Sequence, residues 1–430
     1  MHIWKNICTI VPELSNPIVG RLIESSMVAE FSVQNFHSIR TRQTFSFVPT
    51  QDKYLTDTYT VEVKPDVRLM KLGVIYGANA SGKSKVLQAV TFFVQTLLRY
   101  PQSKTEAIDV VPFLLDDHSK DEPTRMEMSF YLSGDKYTIS LAFNSERILE
   151  EKLIVYASVR PAMLYERTYL PETDSTHVEF GKHLGLSRRD QDFIAANTLN
   201  NCSVIAAFGK SNVANTRLNT IYKWLDGSFS NVLNPSIDLT SFLHHELMND
   251  RDGSLKQFIM QFLQKSDFNI REFHLAPDAS SIIFSHATIS GTGTLPEALE
   301  SSGTLRFMGI AALLKYLIND NQFMVIDEIE TSLHYELLSY FLRVFLANNT
   351  GTSQLLFATH DINLLDEDFI RRDTIWFTDK NEHAETELIR LSSLGLHKNL
   401  SPYNAYRQGK LVKLPFTGAI YLDEPTEEQA

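Results

Sequence analysis

Cysteine is nearly absent from this chain, and long apolar segments are missing. Only two cysteines occur among 430 residues, Cys8 and Cys202, and neither belongs to a CxxC pattern. This usage predicts no disulfide framework and no zinc site, and it fits a reducing compartment, so we expect a cytoplasmic protein. No apolar run approaches the roughly 18 residues that a membrane helix needs, so no membrane association is expected.

Basic residues are also too few to dominate the surface. The formal net charge is −12, which argues against broad, non-specific binding of nucleic acid and leaves only a local basic groove open. Hydrophobic residues make up 43% and charged residues 21% of the chain, as in globular proteins. The length allows one large domain with insertions or two to three ordinary domains.

One glycine-containing segment matches the phosphate-binding pattern G-x-x-x-x-G-K-[ST]. Its residues are Gly77, Ala78, Asn79, Ala80, Ser81, Gly82, Lys83 and Ser84. A short apolar strand precedes it and a segment with helical apolar spacing, 85–97, follows it, which is the context that this loop requires. Such a loop turns its backbone N–H groups toward a polyphosphate at a positive helix end. The segment therefore predicts ATP or GTP binding.

A second apolar strand ends in two carboxylates, Asp327 and Glu328. Parallel α/β sheets bind ligands at the carboxyl ends of their strands. There Asp327, together with Ser84, would hold Mg²⁺, and Glu328 would orient or deprotonate the attacking water. Taken alone, this pattern is equally typical of a strand with a solvated acidic end.

Three further segments extend the pattern. The stretch Glu300-Ser-Ser-Gly-Thr-Leu305 opens an apolar helix and resembles the ABC signature sequence, with Ser302, Gly303 and Thr304 at its serine and two glycines. Small residues at a helix N-terminus suit phosphate capture, and because the chain already has a P-loop, a second copy would supply this end. His360 follows a strand at the position of the γ-phosphate histidine, and residues 330–334 stand where the D-loop stands in ABC-type ATPases.

The order of these segments is that of the ABC-type ATPases, and the chain closely resembles the OLD-like AAA ATPases of the RloA kind over about residues 27–420. The resemblance rests on 31–36, 74–84, 300–304, 327–334, 358–360 and the tail 403–416. It implies an ATP- and Mg²⁺-dependent ATPase in which Lys83 grips the β- and γ-phosphates. It also implies a homodimer or higher oligomer built around ATP, serving in bacterial phage defence with a separately encoded effector, either RloB-like or a TOPRIM nuclease.

The chain departs from this family at a few positions. His37 stands where relatives carry Arg or Lys, so a phosphate contact there is not expected. Leu305 replaces the signature glutamine, Tyr335 replaces a common proline, and no glutamine is assigned to the Q-loop. Only about seventy residues follow His360, too few for a TOPRIM domain, so we expect any nuclease to be another polypeptide.

The expected fold is α/β, an ABC/SMC-head-like P-loop NTPase with an N-terminal β-lobe and an inserted helical lid. We expect a loosely attached, flexible extension over 1–26, with the natural start at Met27. The head with its P-loop and β-lobe would cover 27–187, the helical lid 188–267, and the rest of the head 268–430. Two other functions stay open: a RecF/SMC-like DNA-repair ATPase that contacts DNA, and an ATP-bound scaffold with little turnover.

Overall fold

The structure is a computed structural model. It describes residues 26–157, 160–234, 236–266, 268–278, 280–289, 291–331, 333–397 and 399–413. The expected N-terminal extension lies outside these residues except for Ser26, and so does the end of the family-like tail from 414 onward.

The strands of the described chain are numbered in sequence order. They are β1 (Ser26–Gln34), β2 (Gln43–Ser46), β3 (Thr60–Lys64), β4 (Val67–Met70), β5 (Leu72–Gly77), β6 (Thr124–Leu132), β7 (Asp135–Phe143), β8 (Ile148–Tyr156), β9 (Ala162–Leu170), β10 (Ser175–Phe180), β11 (Ile270–Leu275), β12 (Ile282–Thr288), β13 (Gly291–Pro296), β14 (Phe323–Ile326), β15 (Gln354–Ala358), β16 (Ile375–Lys380) and β17 (Thr386–Arg390).

The α-helices are numbered in the same way. They are α1 (Thr56–Tyr59), α2 (Lys83–Leu98), α3 (Arg188–Asn197), α4 (Val204–Gly209), α5 (Thr216–Ser228), α6 (Leu239–Asn249), α7 (Ser254–Lys265), α8 (Ser302–Asn319), α9 (Tyr335–Asn348) and α10 (Pro402–Arg407). None of them, in the part of the chain that the structure describes, is long and apolar enough to cross a membrane.

A five-stranded sheet in the order β14-β15-β5-β16-β17 carries the sequence motifs. The first four strands run parallel, and β17 joins the edge antiparallel to β16. Every residue of β5, β14 and β15 is buried. Continuous apolar strands of this kind are typical of a parallel sheet that is covered on both faces, and they explain why these strands were recognisable in the sequence.

A seven-stranded antiparallel sheet forms the β-lobe, in the order β10-β9-β8-β7-β6-β1-β2. In β6 and β7, apolar residues that alternate along the strand are buried, as in Met126, Met128 and Phe130. The turn at Ser133 and Gly134, both with positive φ, joins them as a hairpin. The α2 helix packs between this lobe and the five-stranded sheet, with Phe93 in contact with Phe31 at a ring distance of 5.7 Å.

Helices α3–α7 fall within the segment expected to form the lid, and a three-stranded sheet, β11-β12-β13, follows them. The α6 and α7 helices pack against α8, so their apolar faces join the core around α8 and α9. The structure therefore has mixed α/β architecture with a P-loop, a β-lobe and an inserted helical segment, as the sequence predicts.

Candidate active site

The candidate site lies where three neighbouring parallel strands end. In the sheet, β15 lies between β5, which leads into the P-loop, and β14, which leads into Asp327 and Glu328. The backbone N–H of Thr359 donates to the carbonyl of Ile75 at 3.1 Å just before His360. P-loop, histidine and paired carboxylates thus meet at one edge of the sheet, as expected for ligand binding in parallel α/β sheets.

The P-loop has the backbone shape of an anion cradle. Ala80 and Gly82 adopt left-handed conformations, with φ of 63° and 109°, and α2 begins directly afterward at Lys83. Alternation of left- and right-handed residues turns successive N–H groups toward one side. The Lys83 ammonium donates to the carbonyls of Gly77 and Ala78 at 2.9 and 3.2 Å, so it lies inside the loop.

Two threonines, one on β16 and one on β17, form side-chain contacts with this loop. The Thr378 hydroxyl lies 2.6 Å from the Ser81 hydroxyl, and the Thr386 hydroxyl donates to the Ser81 carbonyl at 2.9 Å. The loop is packed so closely against them that a Cβ on Gly77 would lie 2.4 Å from the Thr378 hydroxyl, and one on Gly82 2.1 Å from that of Thr386. Glycine is therefore required sterically at both positions. Sequence reasoning missed both threonines.

Three carboxylates act electrostatically on Lys83. Burial lowers the pKa of Lys83, whereas the charges of Asp327, Glu328 and Glu330 act in the opposite direction. Backbone contacts fix the position of Asp327, because its N–H donates to the carbonyl of Leu233 at 2.8 Å. This arrangement provides both a cation for phosphate oxygens and anions for a metal ion.

The residues expected to hold Mg²⁺ fit that ion. Asp327 Oδ1 is buried and has no hydrogen-bond partner, and Ser84 lies in the first turn of α2 directly after Lys83. Mg²⁺ bound with a nucleotide typically takes one or two protein ligands, phosphate oxygens and waters. Consistently, the described residues contain no cluster of three or more His, Cys, Asp or Glu side chains that would hold a metal by themselves.

Glu328 and His360 form the more open part of the site. Their side chains are 44% and 36% exposed, and His360 Nε2 lies 3.7 Å from Glu328 Oε1. Glu328 has a φ of 48°, in the left-handed region that side chains other than glycine rarely adopt. Unfavourable backbone conformations of this kind concentrate at functional sites, where the surrounding structure holds them.

Glu330 is a further carboxylate of the site, to which the sequence analysis gave no role of its own. Its Oε1 accepts from the backbone N–H of His360 at 2.5 Å, and its Oε2 is buried without a partner. Through this hydrogen bond, Glu330 connects the segment that follows β14 to the segment that follows β15. The signal in the sequence was its place, because Glu330 comes four residues after the end of the buried strand β14, whose carboxyl end faces the ligand site.

An additional extended segment, residues 229–233, covers the outer edge of β14. Phe229 pairs with Phe323 and Leu233 with Ile326, both in parallel orientation. Asn234 directly follows this segment and lies next to Asp327. The sequence analysis assigned no glutamine to the Q-loop. The side-chain oxygen of Asn234 accepts from the N–H and hydroxyl of Ser236 at 3.1 and 2.6 Å. The segment contains only two pairing residues, and no sequence pattern distinguishes it from a loop.

At the signature segment the structure shows which residues order the first turn of α8. Ser301, not Ser302, caps α8: its hydroxyl oxygen accepts from the Thr304 N–H at 3.0 Å. The Glu300 carboxylate accepts from the Ser301 N–H at 2.9 Å. Among the described residues, the N–H groups of Ser302 and Gly303 have no acceptor. Thr304 is buried, and its hydroxyl contacts Ser301 and Glu300 instead of facing outward.

The signature residues make no hydrogen bond to the P-loop of the same chain within the described ranges. They connect instead to the expected D-loop, since Arg306 Nε donates to the carbonyl of Thr331 at 2.9 Å. Ser332, the middle residue of the D-loop, lies outside the described part of the chain. The structure therefore brings together Lys83, Ser84, Asp327, Glu328 and His360, and places the signature residues elsewhere.

His37 is electrostatically unlike the Arg or Lys of relatives. It lies near the start of α2, where burial and then the charge of Lys85 lower its pKa, so the imidazole is neutral at pH 7. A neutral ring does not provide the cation that grips phosphate.

Two solved structures with low similarity were compared with this chain. One is the SMC head domain from Thermotoga maritima, with 12% identity, a TM-score of 0.41, and coverage of 85% of this chain and 98% of that chain. The other is titled "Crystal structure of the SmcHead bound to the C-winged helix domain of ScpA", with 11% identity, a TM-score of 0.37, and coverage of 89% and 99%. No curated protein matches the chain.

A family model supplies the firmer relationship. The model described as "AAA domain, putative AbiEii toxin, Type IV TA system" matches residues 72–366. The matched range contains the P-loop, the signature segment, Asp327, Glu328 and His360. Because it covers more than half of the 430 residues, the chain belongs to this family of AAA-domain proteins.

Proposed function

We propose that this protein binds and hydrolyses ATP with Mg²⁺ and uses the cycle as a dimerisation switch. The observation that carries the proposal is the arrangement around Lys83: a loop of phosphate-binding shape, a buried and unpartnered Asp327 oxygen, and Glu328 close to His360. These are the groups that phosphoryl transfer needs, because its catalysis consists almost entirely of positioning and charge stabilisation.

Each side chain has one task in this scheme. Lys83 leaves the carbonyls of Gly77 and Ala78 and binds the β- and γ-phosphates. Ser84 and Asp327 hold Mg²⁺, which when bound neutralises the charge on the phosphate oxygens. Glu328 accepts a hydrogen bond from the attacking water and orients it. His360, whose ring lies beside Glu328, donates to a γ-phosphate oxygen.

A second copy would complete the site. Among the residues that the structure describes, the N–H groups of Ser302 and Gly303 find no acceptor, and neither residue forms a hydrogen bond to the P-loop of its own chain. Helix N-termini with free N–H groups bind phosphate. The signature end of one copy would therefore close on the nucleotide of the other, and ATP would hold two copies together until Glu328 promotes its hydrolysis.

The biological role that we propose is phage defence in bacteria, as an OLD-like, RloA-type ATPase that controls a separately encoded effector. The description of the family names a toxin of a toxin–antitoxin system, which supports a two-component arrangement. The net charge of −12 favours a protein effector over DNA as the main partner.

The decisive experiment compares Glu328→Gln and Lys83→Ala with the wild type. We expect Glu328→Gln to bind ATP normally, to lose about 100-fold or more in turnover, and to accumulate as an ATP-bound dimer. Lys83→Ala should lose ATP binding because the only side-chain cation inside the loop is removed. Steady-state phosphate release, calorimetric ATP binding and light scattering after size exclusion measure the three properties.

Lys85→Ala is the matched control for Lys83→Ala. Lys85 lies two residues further along α2 and contacts Gln88 at 3.0 Å instead of the loop. Wild-type turnover in Glu328→Gln would disprove the role of Glu328. Stimulation of the wild type by DNA would favour the DNA-repair alternative, and ATP binding without turnover in the wild type would favour the scaffold.

A further inference from the structure

Two glutamate–histidine pairs hold the segment that leads into α8, residues 297–302, which we name the signature loop. His244 on α6 lies 2.6 Å from Glu297 Oε2, and the N–H of Ile282 donates to the same oxygen at 2.8 Å. His286 on β12 lies 2.9 Å from Glu300 Oε2. The loop is thus fixed at its start to the helical insertion and at its end to the three-stranded sheet.

The Glu300 carboxylate is the centre of this arrangement. Its side chain is only 9% exposed. One oxygen receives the ring of His286, and the other receives the Ser301 N–H at 2.9 Å and the Thr304 hydroxyl at 3.2 Å. The hydrogen bonds of the Glu300 carboxylate therefore orient the first turn of α8.

His286 has an acceptor beside each ring nitrogen. Its Nδ1 lies 3.1 Å from the carbonyl oxygen of Asn269, and its Nε2 lies 2.9 Å from the Glu300 carboxylate. Only a ring that carries a proton on both nitrogens donates to both acceptors at once. In that form an imidazolium faces the carboxylate and compensates its charge.

This compensation matters because of what lies beside Glu300. Within the described part of the chain, the N–H groups of Ser302 and Gly303 have no acceptor, so they are available to an anion. An uncompensated carboxylate two to three residues away would repel a phosphate at that helix end, whereas a carboxylate paired with His286 still orders the turn through Ser301 and Thr304.

We propose that His286 is a positioning residue for the reaction: paired with Glu300, it orients and neutralises the signature loop, so that the N-terminus of α8 accepts the γ-phosphate bound by the second copy. The inference rests on the proposed ATP-dependent dimerisation. It adds a residue outside every sequence motif and connects the three-stranded sheet to the nucleotide site.

The test measures ATP-dependent dimerisation in a Glu328→Gln background, with ATP binding to the single protomer measured in parallel. We expect His286→Ala to weaken dimerisation about tenfold while leaving protomer affinity for ATP unchanged. His286→Gln, whose side-chain amide can donate to Glu300, should recover part of the loss. In turnover assays of His286→Ala in the protein that keeps Glu328, the effect should appear at low protein concentration and disappear when dimers are enforced by high concentration.

A double-mutant cycle separates charge compensation from simple packing. Adding Glu300→Gln to His286→Ala removes the uncompensated charge, so the double variant should dimerise better than the sum of the two single effects predicts. Glu272→Gln is the control, because Glu272 lies on the neighbouring β11, 62% exposed, and pairs with Lys256 away from the signature loop. It should dimerise like the parent.

The outcomes distinguish the two proposals. If the Glu328→Gln parent does not dimerise with ATP, the proposed function fails. If the parent dimerises and His286→Ala dimerises equally well, the inference about His286 fails alone. Strictly additive effects of the two substitutions on dimerisation would overturn the idea that His286 compensates the charge of Glu300. If His286→Ala does not fold, the same cycle is measured with His286→Gln.

Discussion

Thr386 lies on the edge strand β17 and forms a hydrogen bond to the P-loop. It is fully buried, and its hydroxyl donates to the Ser81 carbonyl at 2.9 Å and lies 2.8 Å from the Ser38 hydroxyl. Its backbone N–H donates to the carbonyl of Ser38 at 2.7 Å. One side chain thus joins β17, the P-loop and the segment that follows β1.

Replacing Thr386 with valine keeps nearly the same shape and removes the hydroxyl. The buried Ser81 carbonyl then loses this donor, which costs about 1–3 kcal/mol. Because the hydrogen bond from Thr386 supports the phosphate-binding shape of the loop, we expect its loss to weaken ATP binding by a similar free energy. At 1.4 kcal/mol per factor of ten, ATP affinity should fall about 5- to 100-fold.

Calorimetric titration with ATP and a urea unfolding series measure the effect of Thr386→Val on affinity and on stability. The matched control is Thr44→Val, which removes a hydroxyl that lies 2.8 Å from Ser32 in the β-lobe, away from the loop. The control should bind ATP like the wild type. Equal ATP affinities of Thr386→Val and Thr44→Val would refute the idea that Thr386 supports the loop.

Three further substitutions test the space around two glycines and a buried ion pair. Gly82→Ala should abolish ATP binding, because the φ is 109° and the new Cβ would lie 2.1 Å from the Thr386 hydroxyl; Gly134→Ala, with a φ of 84° and open space, should cost only about 1–2 kcal/mol of stability and leave binding intact. Asp373→Asn should lower the free energy of unfolding by about 3–5 kcal/mol in urea titrations, because Asp373 and Arg371 form a buried ion pair of 2.6 and 2.9 Å. Burial acts to raise the pKa of Asp373, but hydrogen bonds, the first from Arg371, outweigh it and hold the pKa below the usual range of an aspartate. Its stabilisation is therefore present above the pKa of an unfolded aspartate and is lost as the pH falls through the lower, folded-state pKa; a wild-type and Asp373→Asn stability difference that stayed constant at lower pH would contradict this.

Much of the site was predictable because its motifs are local. The P-loop needs glycine and lysine at fixed spacing, and the structure places Lys83 inside the loop as expected. The strands before Asp327 and His360 are short and mostly apolar, so their burial followed from composition.

Other details of the site depend on one or two residues. The helix that follows the paired carboxylates begins only at Tyr335, because the segment after Glu330 makes turns, with the N–H of Leu333 donating to the Glu330 carbonyl at 2.7 Å. The cap of α8 is Ser301, which precedes Ser302 and Gly303 of the signature segment. Two adjacent serines cannot be ranked as caps without knowing the backbone conformation of each.

The amino-acid sequence by itself determined that the chain has a P-loop, a buried strand that ends in Asp327 and Glu328, and an α/β architecture, because short-range spacing and burial patterns specify these features. Only the tertiary structure decided that β15 lies between β5 and β14, that Thr386 supports Ser81, and that His286 faces Glu300. These contacts join residues that are distant in the chain or lie in different elements. Strand order and side-chain pairing of this kind result from packing of the whole chain, which no local pattern encodes.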